Sequence, residues 1–221
     1  MAQWEQEEVF PGLWEELLAM NADDVCKRAQ ASYLEEDESY VIPLLDQAFR
    51  VNPAQKTVLP DGNLDTESFT HPGASFIESL ILIVYLIKAA NVPLAGKMVT
   101  EKELPGGELF FRGPHELARK PVLSRYGKDV DGFIRAGLFL GGKKTSQGDA
   151  CIHLKALPRV PMEYVLWGED DEFPASLTIL FDASAGEHLP LDTLWALVHF
   201  VTLRLTEADS SSSILKDMPN K

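Results

Sequence analysis

Cysteine is scarce: 221 residues contain only Cys26 and Cys151. Iron–sulfur clusters usually take four thiolates, so the chain is two short of holding one alone. A single disulfide is open to it. The opening MAQWEQEEVF, however, lacks the basic stretch and apolar run of an export signal, and the expectation is a cytoplasmic chain with reduced thiols. Long hydrophobic runs are missing too. The longest, LILIVYLI, covers residues 80–87, far short of the roughly 20 apolar residues a membrane helix needs, and reads as a buried core helix. Positive charge is outnumbered, with 20 basic residues against 34 acidic and a net charge of -14. That balance argues against nucleic acid, whose binding rests on neutralising phosphates, and against anionic membranes. The G-x-S-x-G, H-E-x-x-H, C-x-x-C and G-x-G-x-x-G patterns are absent. His71, His115, His153, His188 and His199 show no metal-ligand spacing, so no metal is expected.

What is present is an ordinary globular composition, 45% hydrophobic. A chain of this length buries roughly 70% of its unfolded surface, enough for one core and short of two full domains. The expectation is one α+β domain over residues 1–208, followed by a serine-rich tail, 209–221, expected to be disordered. Charge is uneven. Residues 1–46 hold 12 acidic and 2 basic residues, residues 88–159 hold 7 and 13, and residues 160–221 hold 11 and 3. Acidic ends therefore flank a basic middle. They either fold back on it or form separate solvated faces.

The segment FPGLWEELLAMNADDVCKRAQ reads as two short helices. Asn21 caps the second, Asp23 and Asp24 lie in its first turn, and Lys27 and Arg28 near its end, each sign matching the helix dipole. Tyr-, Val- and Ile-rich segments punctuated by EEDE, NP and PDG predict a meander of three or four strands. Residues 76–90 form a helix apolar nearly all round, with Phe76, Leu80, Val84 and Ile87 as one stripe, so it must be central. Asn91 is the expected left-handed cap. Two short helices follow within 114–141, the second closed by Gly141 and Gly142. Three strands are expected over 149–155, 162–168 and 176–182. A second apolar helix over 191–206 carries Leu191, Leu194, Trp195, Val198, Val201 and Leu205 at helical spacing. Strands and helices come in runs, which predicts antiparallel or mixed sheets packed on the two apolar helices.

Three constellations invite chemistry. GLFLGGKKT, residues 137–145, nearly matches a phosphate loop, but Lys144 stands where the magnesium-binding hydroxyl belongs. A helix ending in glycines beside a basic loop is the preferred reading. The block Glu169-Asp170-Asp171-Glu172 offers four carboxylates to a hard cation, yet contiguous residues cannot all face one centre, and a solvated loop is preferred. The third rests on period two. If strands 149–155, 162–168 and 176–182 are neighbours, Cys151, His153, Glu163, Thr178 and Asp182 line one side of a sheet. Trp167 lies on the face of Glu163. A thiol, an imidazole and two carboxylates there would suit a metal or acid–base work. An ordinary half-solvated sheet face is the plainer alternative.

The segments PLAGKMVTEKELPGG, GGKKTSQGDACIHLKALPRVPMEYVLW, DDEFPASLTILFDASA and HLPLDTL resemble domain-of-unknown-function family 3786, from roughly Asp24 to Leu205. That family brings no reaction and no catalytic residue with it. The resemblance implies an origin among anaerobic bacteria and archaea, where some members are joined to a cysteine-rich segment like that of corrinoid iron–sulfur proteins. Service to redox or corrinoid chemistry follows, with any iron–sulfur cluster or corrinoid belonging to a protein partner. Within the family tag LPRVP, Arg159 is held near two prolines that stiffen the backbone. It could clamp a carboxylate or phosphate of a ligand; an internal pairing with Asp182 or Glu172 is favoured. The leading expectation is a non-catalytic cytosolic binding or accessory module, with Arg159, His153, Glu163, Asp182 and Trp167 as the residues to watch for ligand binding. The alternative is a metal-dependent or acid–base enzyme using the His153, Glu163 and Asp182 face. An oligomeric structural subunit is a third.

Overall fold

The computed structural model describes residues 12–62 and 75–216, with side chains through Ala208. The first eleven residues, including Trp4, the segment around His71 and residues 217–221 lie outside the described residues. Two short helices open the described chain, α1 (Leu13–Leu18) and α2 (Ala22–Ala29). Asn21 caps α2 as expected, its side chain accepting from the Asp24 amide at 3.0 Å. The meander has four strands, β1 (Ser32–Leu34), β2 (Ser39–Leu44), β3 (Gln47–Asn52) and β4 (Thr57–Pro60), paired antiparallel in chain order.

Helix α3 (Phe76–Lys88) begins at a reciprocal cap. The Glu78 amide donates to Ser75 Oγ at 3.3 Å and the Ser75 amide to Glu78 Oε2 at 2.6 Å, satisfying two otherwise unpaired donors. Residues Ile81 to Ile87 are all buried, so the helix is central, and it packs against α1, α2 and the last helix. Its expected stripe is only partly right: Val84 and Ile87 are buried, whereas Phe76 is 47% exposed. The cap expectation also fails. The chain leaves the helix at Ala89 in an extended conformation, and Asn91 has no left-handed backbone.

The second sheet is antiparallel in the order β5-β9-β8-β7-β6. Its strands are β5 (Met98–Thr100), β6 (Lys143–Thr145), β7 (Ala150–Leu157), β8 (Val160–Trp167) and β9 (Ser176–Asp182). The long strands fall where expected. The three-residue edge strands β5 and β6 were not anticipated, nor were α4 (Gly107–Phe110) and the turn of helix at α7 (Ala185–His188). Between them lie α5 (Lys120–Tyr126) and α6 (Val130–Phe139), and α8 (Leu191–Lys216) closes the fold. Helix α8 does not stop at Thr206 but continues to Lys216, into the stretch expected to be a disordered tail.

The inner face of the second sheet carries Ile152, Leu154, Met162, Tyr164, Ile179 and Phe181, all fully buried. Tyr164 donates to the Val198 carbonyl on α8 at 3.3 Å. Helix α6 presses so closely on β7 that a Cβ at Gly137 would lie 2.5 Å from Ile152. The glycines of GLFLGGKKT are therefore packing residues: Gly137 sits inside α6, Gly141 turns the chain at φ 74°, and Lys143 opens β6. One hydrophobic cluster includes residues of both sheets, α3 and α8. Both apolar helices thus belong to the one hydrophobic core of an α+β fold. Among the described residues, no helix is long and apolar enough to cross a membrane.

Candidate functional site

Two polar clusters emerge, one closed and one open. The closed one surrounds Arg159, in the turn between β7 and β8. It is only 8% exposed and pairs with neither Asp182 nor Glu172, contrary to expectation. Its Nε donates to the Arg28 carbonyl at 2.5 Å, NH1 to the Val92 carbonyl at 2.7 Å, and NH2 to the Lys27 carbonyl and Asn91 Oδ1 at 3.3 Å each. The physical reason is the end of α2. A helix leaves its last four carbonyls unpaired, and its partial negative charge there suits a guanidinium. Arg159 takes the Lys27 and Arg28 carbonyls, and the Tyr85 hydroxyl takes that of Ala29 at 3.1 Å. Tyr85 accepts in turn from the Arg159 amide at 3.1 Å. Burial pushes the Tyr85 hydroxyl well above its ordinary range. Arg28 repeats the device on α3, donating to the Ile87 and Ala89 carbonyls at 3.2 and 2.6 Å.

Asp182 belongs to the same closed region. Its carboxylate accepts from the amides of Ala95, Gly96 and Ser184 at 2.8–3.0 Å and from Ser184 Oγ at 2.6 Å. Burial pushes its pKa up, but the Ser184, Ala95 and Gly96 hydrogen bonds outweigh this and hold it below the usual carboxylate value. His188 lies 3.5 Å from Ser184 Oγ and is fully buried. Burial first, and the Arg159 charge second, depress its pKa against the opposing pull of Asp182.

The open cluster is the outer face of the second sheet. The register does place the expected residues together: His153 opposes Glu163, Cys151 opposes Val165, and Val165 opposes Thr178. Only one pair meets. His153 Nδ1 lies 3.3 Å from Glu163 Oε1, and Gln147 donates to Glu163 Oε2 at 3.2 Å. Cys151 is fully buried, and its pKa is raised by burial and then by the Glu163 charge. Asp182 shares the face, but its oxygens are held by Ser184 and the chain at 95–96. Trp167 stands 50% exposed at the far end of β8. Among the described residues, no three His, Cys, Asp or Glu side chains could hold a metal ion. Cys26 and Cys151 are both free thiols.

The acidic block forms a loop. Asp170 accepts from the Glu172 and Phe173 amides at 2.9 and 2.7 Å, which lowers its pKa, while Glu169 meets Lys128 at 3.0 Å. On the α8 surface, which sequence reasoning passed over, Phe110 stacks on His115 with centroids 4.6 Å apart. Trp195 lies against His199 at 4.1 Å. His199 lies 2.9 Å from the Trp195 carbonyl through Nδ1 and is half buried. Tyr85, Ser184 and His188 were missed as a group. Their only signal was the pairing of an apolar helix with a lone tyrosine, and of DAS with a histidine four residues beyond.

Comparison with curated proteins and with solved structures gave no match. The model of the family described as "Domain of unknown function (DUF3786)" matches residues 21–204, which take in the meander, α3, the first half of α8 and every residue of the two clusters, and the chain belongs to that family.

Proposed function

We propose that this protein is a non-catalytic cytoplasmic binding or accessory module that presents the outer face of its five-stranded sheet to a protein partner. The observation that carries this reading is the engagement of Arg159 and Asp182. The two residues best suited to grip a ligand are buried on backbone groups of their own chain. What remains open is a sheet face with the half-exposed His153, which meets a buried Glu163, and the exposed Trp167. In keeping with the resemblance, the partner would be a redox or corrinoid iron–sulfur protein that supplies its own cluster, since this chain contributes only two thiols, on separate elements.

The second reading, a metal-dependent or acid–base enzyme, draws on the His153–Glu163 contact. Metal analysis and absorption spectra of freshly purified protein separate the two. A colourless, metal-free protein, unchanged in metal content by His153→Ala, is expected. Stoichiometric zinc or iron that His153→Ala or Glu163→Ala removes would overturn the module and favour the enzyme.

A further inference from the structure

Several described cations of this acidic chain reach a carboxylate: Arg50 meets Asp37 and Asp61, Lys88 meets Glu16, Arg119 meets Glu101, and Lys128 meets Glu169. Lys143, Lys144 and Lys155 do not, nor do Lys27, Lys97, Lys102 and Lys120, but the first three differ in position. None has an ion pair among the described residues, and all three are exposed. They gather at one place. Strand β6 ends the second sheet, paired with β7 on one side and with no strand on the other among the described residues. Lys143 opposes His153, and Lys155 follows two residues on along the same face. Lys144 opposes the inward Ile152 and so lies on the other face of the same edge.

An edge strand offers unpaired amides and carbonyls that template another strand. Lysines on both faces discourage a second copy, because two such edges would bring like charges together. The same charges favour a strand of opposite sign. We infer that the free edge of β6 takes an extended, acidic segment of a partner protein by strand addition, with backbone hydrogen bonds supplying register and Lys143, Lys144 and Lys155 reading its carboxylates. This rests on the binding-module reading, whose surface and partner chemistry it names. A polypeptide is favoured over a phosphate polymer because only a polypeptide continues the ladder.

The test is fluorescence anisotropy with a fluorescein-labelled peptide alternating Glu and Val, titrated with the full chain at low and raised salt. Expected are saturable binding that weakens with salt, and at least about a tenfold loss of affinity in a Lys143→Glu/Lys155→Glu double variant. Lys97→Glu, an equal charge reversal near the opposite edge, leaves affinity unchanged, and the Lys/Val counterpart peptide does not bind. Amides of residues 143–145 gain protection from hydrogen exchange on binding, and circular dichroism confirms that the variants are folded. No binding, equal loss in Lys97→Glu, stronger binding of a single-stranded oligonucleotide, or pairing of the edge with a second copy each overturns the proposal. A metal-free protein that ignores the peptide sinks this surface alone, whereas stoichiometric metal lost on His153→Ala sinks the module reading whatever the peptide does.

Discussion

The turn at Arg159 and the outer face around His153 are about equally promising as strings of letters, and the fold treats them in opposite ways. Arg159 reaches backbone carbonyls 67 to 132 residues away in sequence. It ties the ends of α2 and α3 to the second sheet. His153 reaches one carboxylate on the neighbouring strand and keeps 36% of its side chain exposed. The partners decide the difference, since Glu163 on the outer face is as buried as Arg159. A charged group taken from water must find partners or it destabilises the fold, so a buried arginine with four hydrogen bonds is a structural member. On the outer face, half-exposed His153 meets a buried Glu163 that also accepts from Gln147, so the imidazole is the one group there that loses little by waiting for a partner.

That contrast can be broken by substitution. Arg159→Ala leaves the Lys27, Arg28 and Val92 carbonyls without their donor, and a loss of about 3–5 kcal/mol in unfolding free energy is expected from urea denaturation. Asp182→Ala strands the Ala95, Gly96 and Ser184 donors where they meet β9. Because two of those amides lie near the surface, the expected loss is smaller, about 2 kcal/mol.

pH sharpens the same comparison. The folded pKa of His188 lies below its ordinary 6.5, so the unfolded chain binds the extra proton first. The stability it confers is complete above pH 6.5 and is lost as pH falls from there through the folded value. Asp182, lowered from 3.8, adds a further loss only below that value. His188→Phe should therefore flatten the stability profile between pH 7 and pH 5 relative to the parent, and an unchanged slope would show that another group sets it. The smallest effect belongs to the open cluster. His153→Ala should cost about 1 kcal/mol, because the imidazole is half exposed and the buried Glu163 keeps its hydrogen bond from Gln147, and a larger drop in the urea midpoint would make that face structural too.

Local signals were legible in the sequence. Asn21 capped its helix, and the apolar run at 80–87 became the central helix because only burial on all sides suits it. The period-two pattern grouped Cys151 with His153 and Thr178 with Asp182 within their strands, but only the observed register joins these sets and Glu163 on one face, because a one-residue slip would have turned a strand over. Long-range partners were not legible. Nothing in LPRVP says that the carbonyls of residues 27 and 28 will lie beside it, and nothing in LFDAS says that the amides of residues 95 and 96 will claim the carboxylate. Strands β5 and β6, at three residues each, are too short to show a period, so the edge bearing Lys143 and Lys144 looked like a loop.

The most direct measurement compares the urea midpoints of Arg159→Ala and His153→Ala with that of the parent chain. A large drop for Arg159→Ala beside a near-parental His153→Ala is the predicted result. An Arg159→Ala protein as stable as the parent would contradict the account and leave that guanidinium available for a ligand.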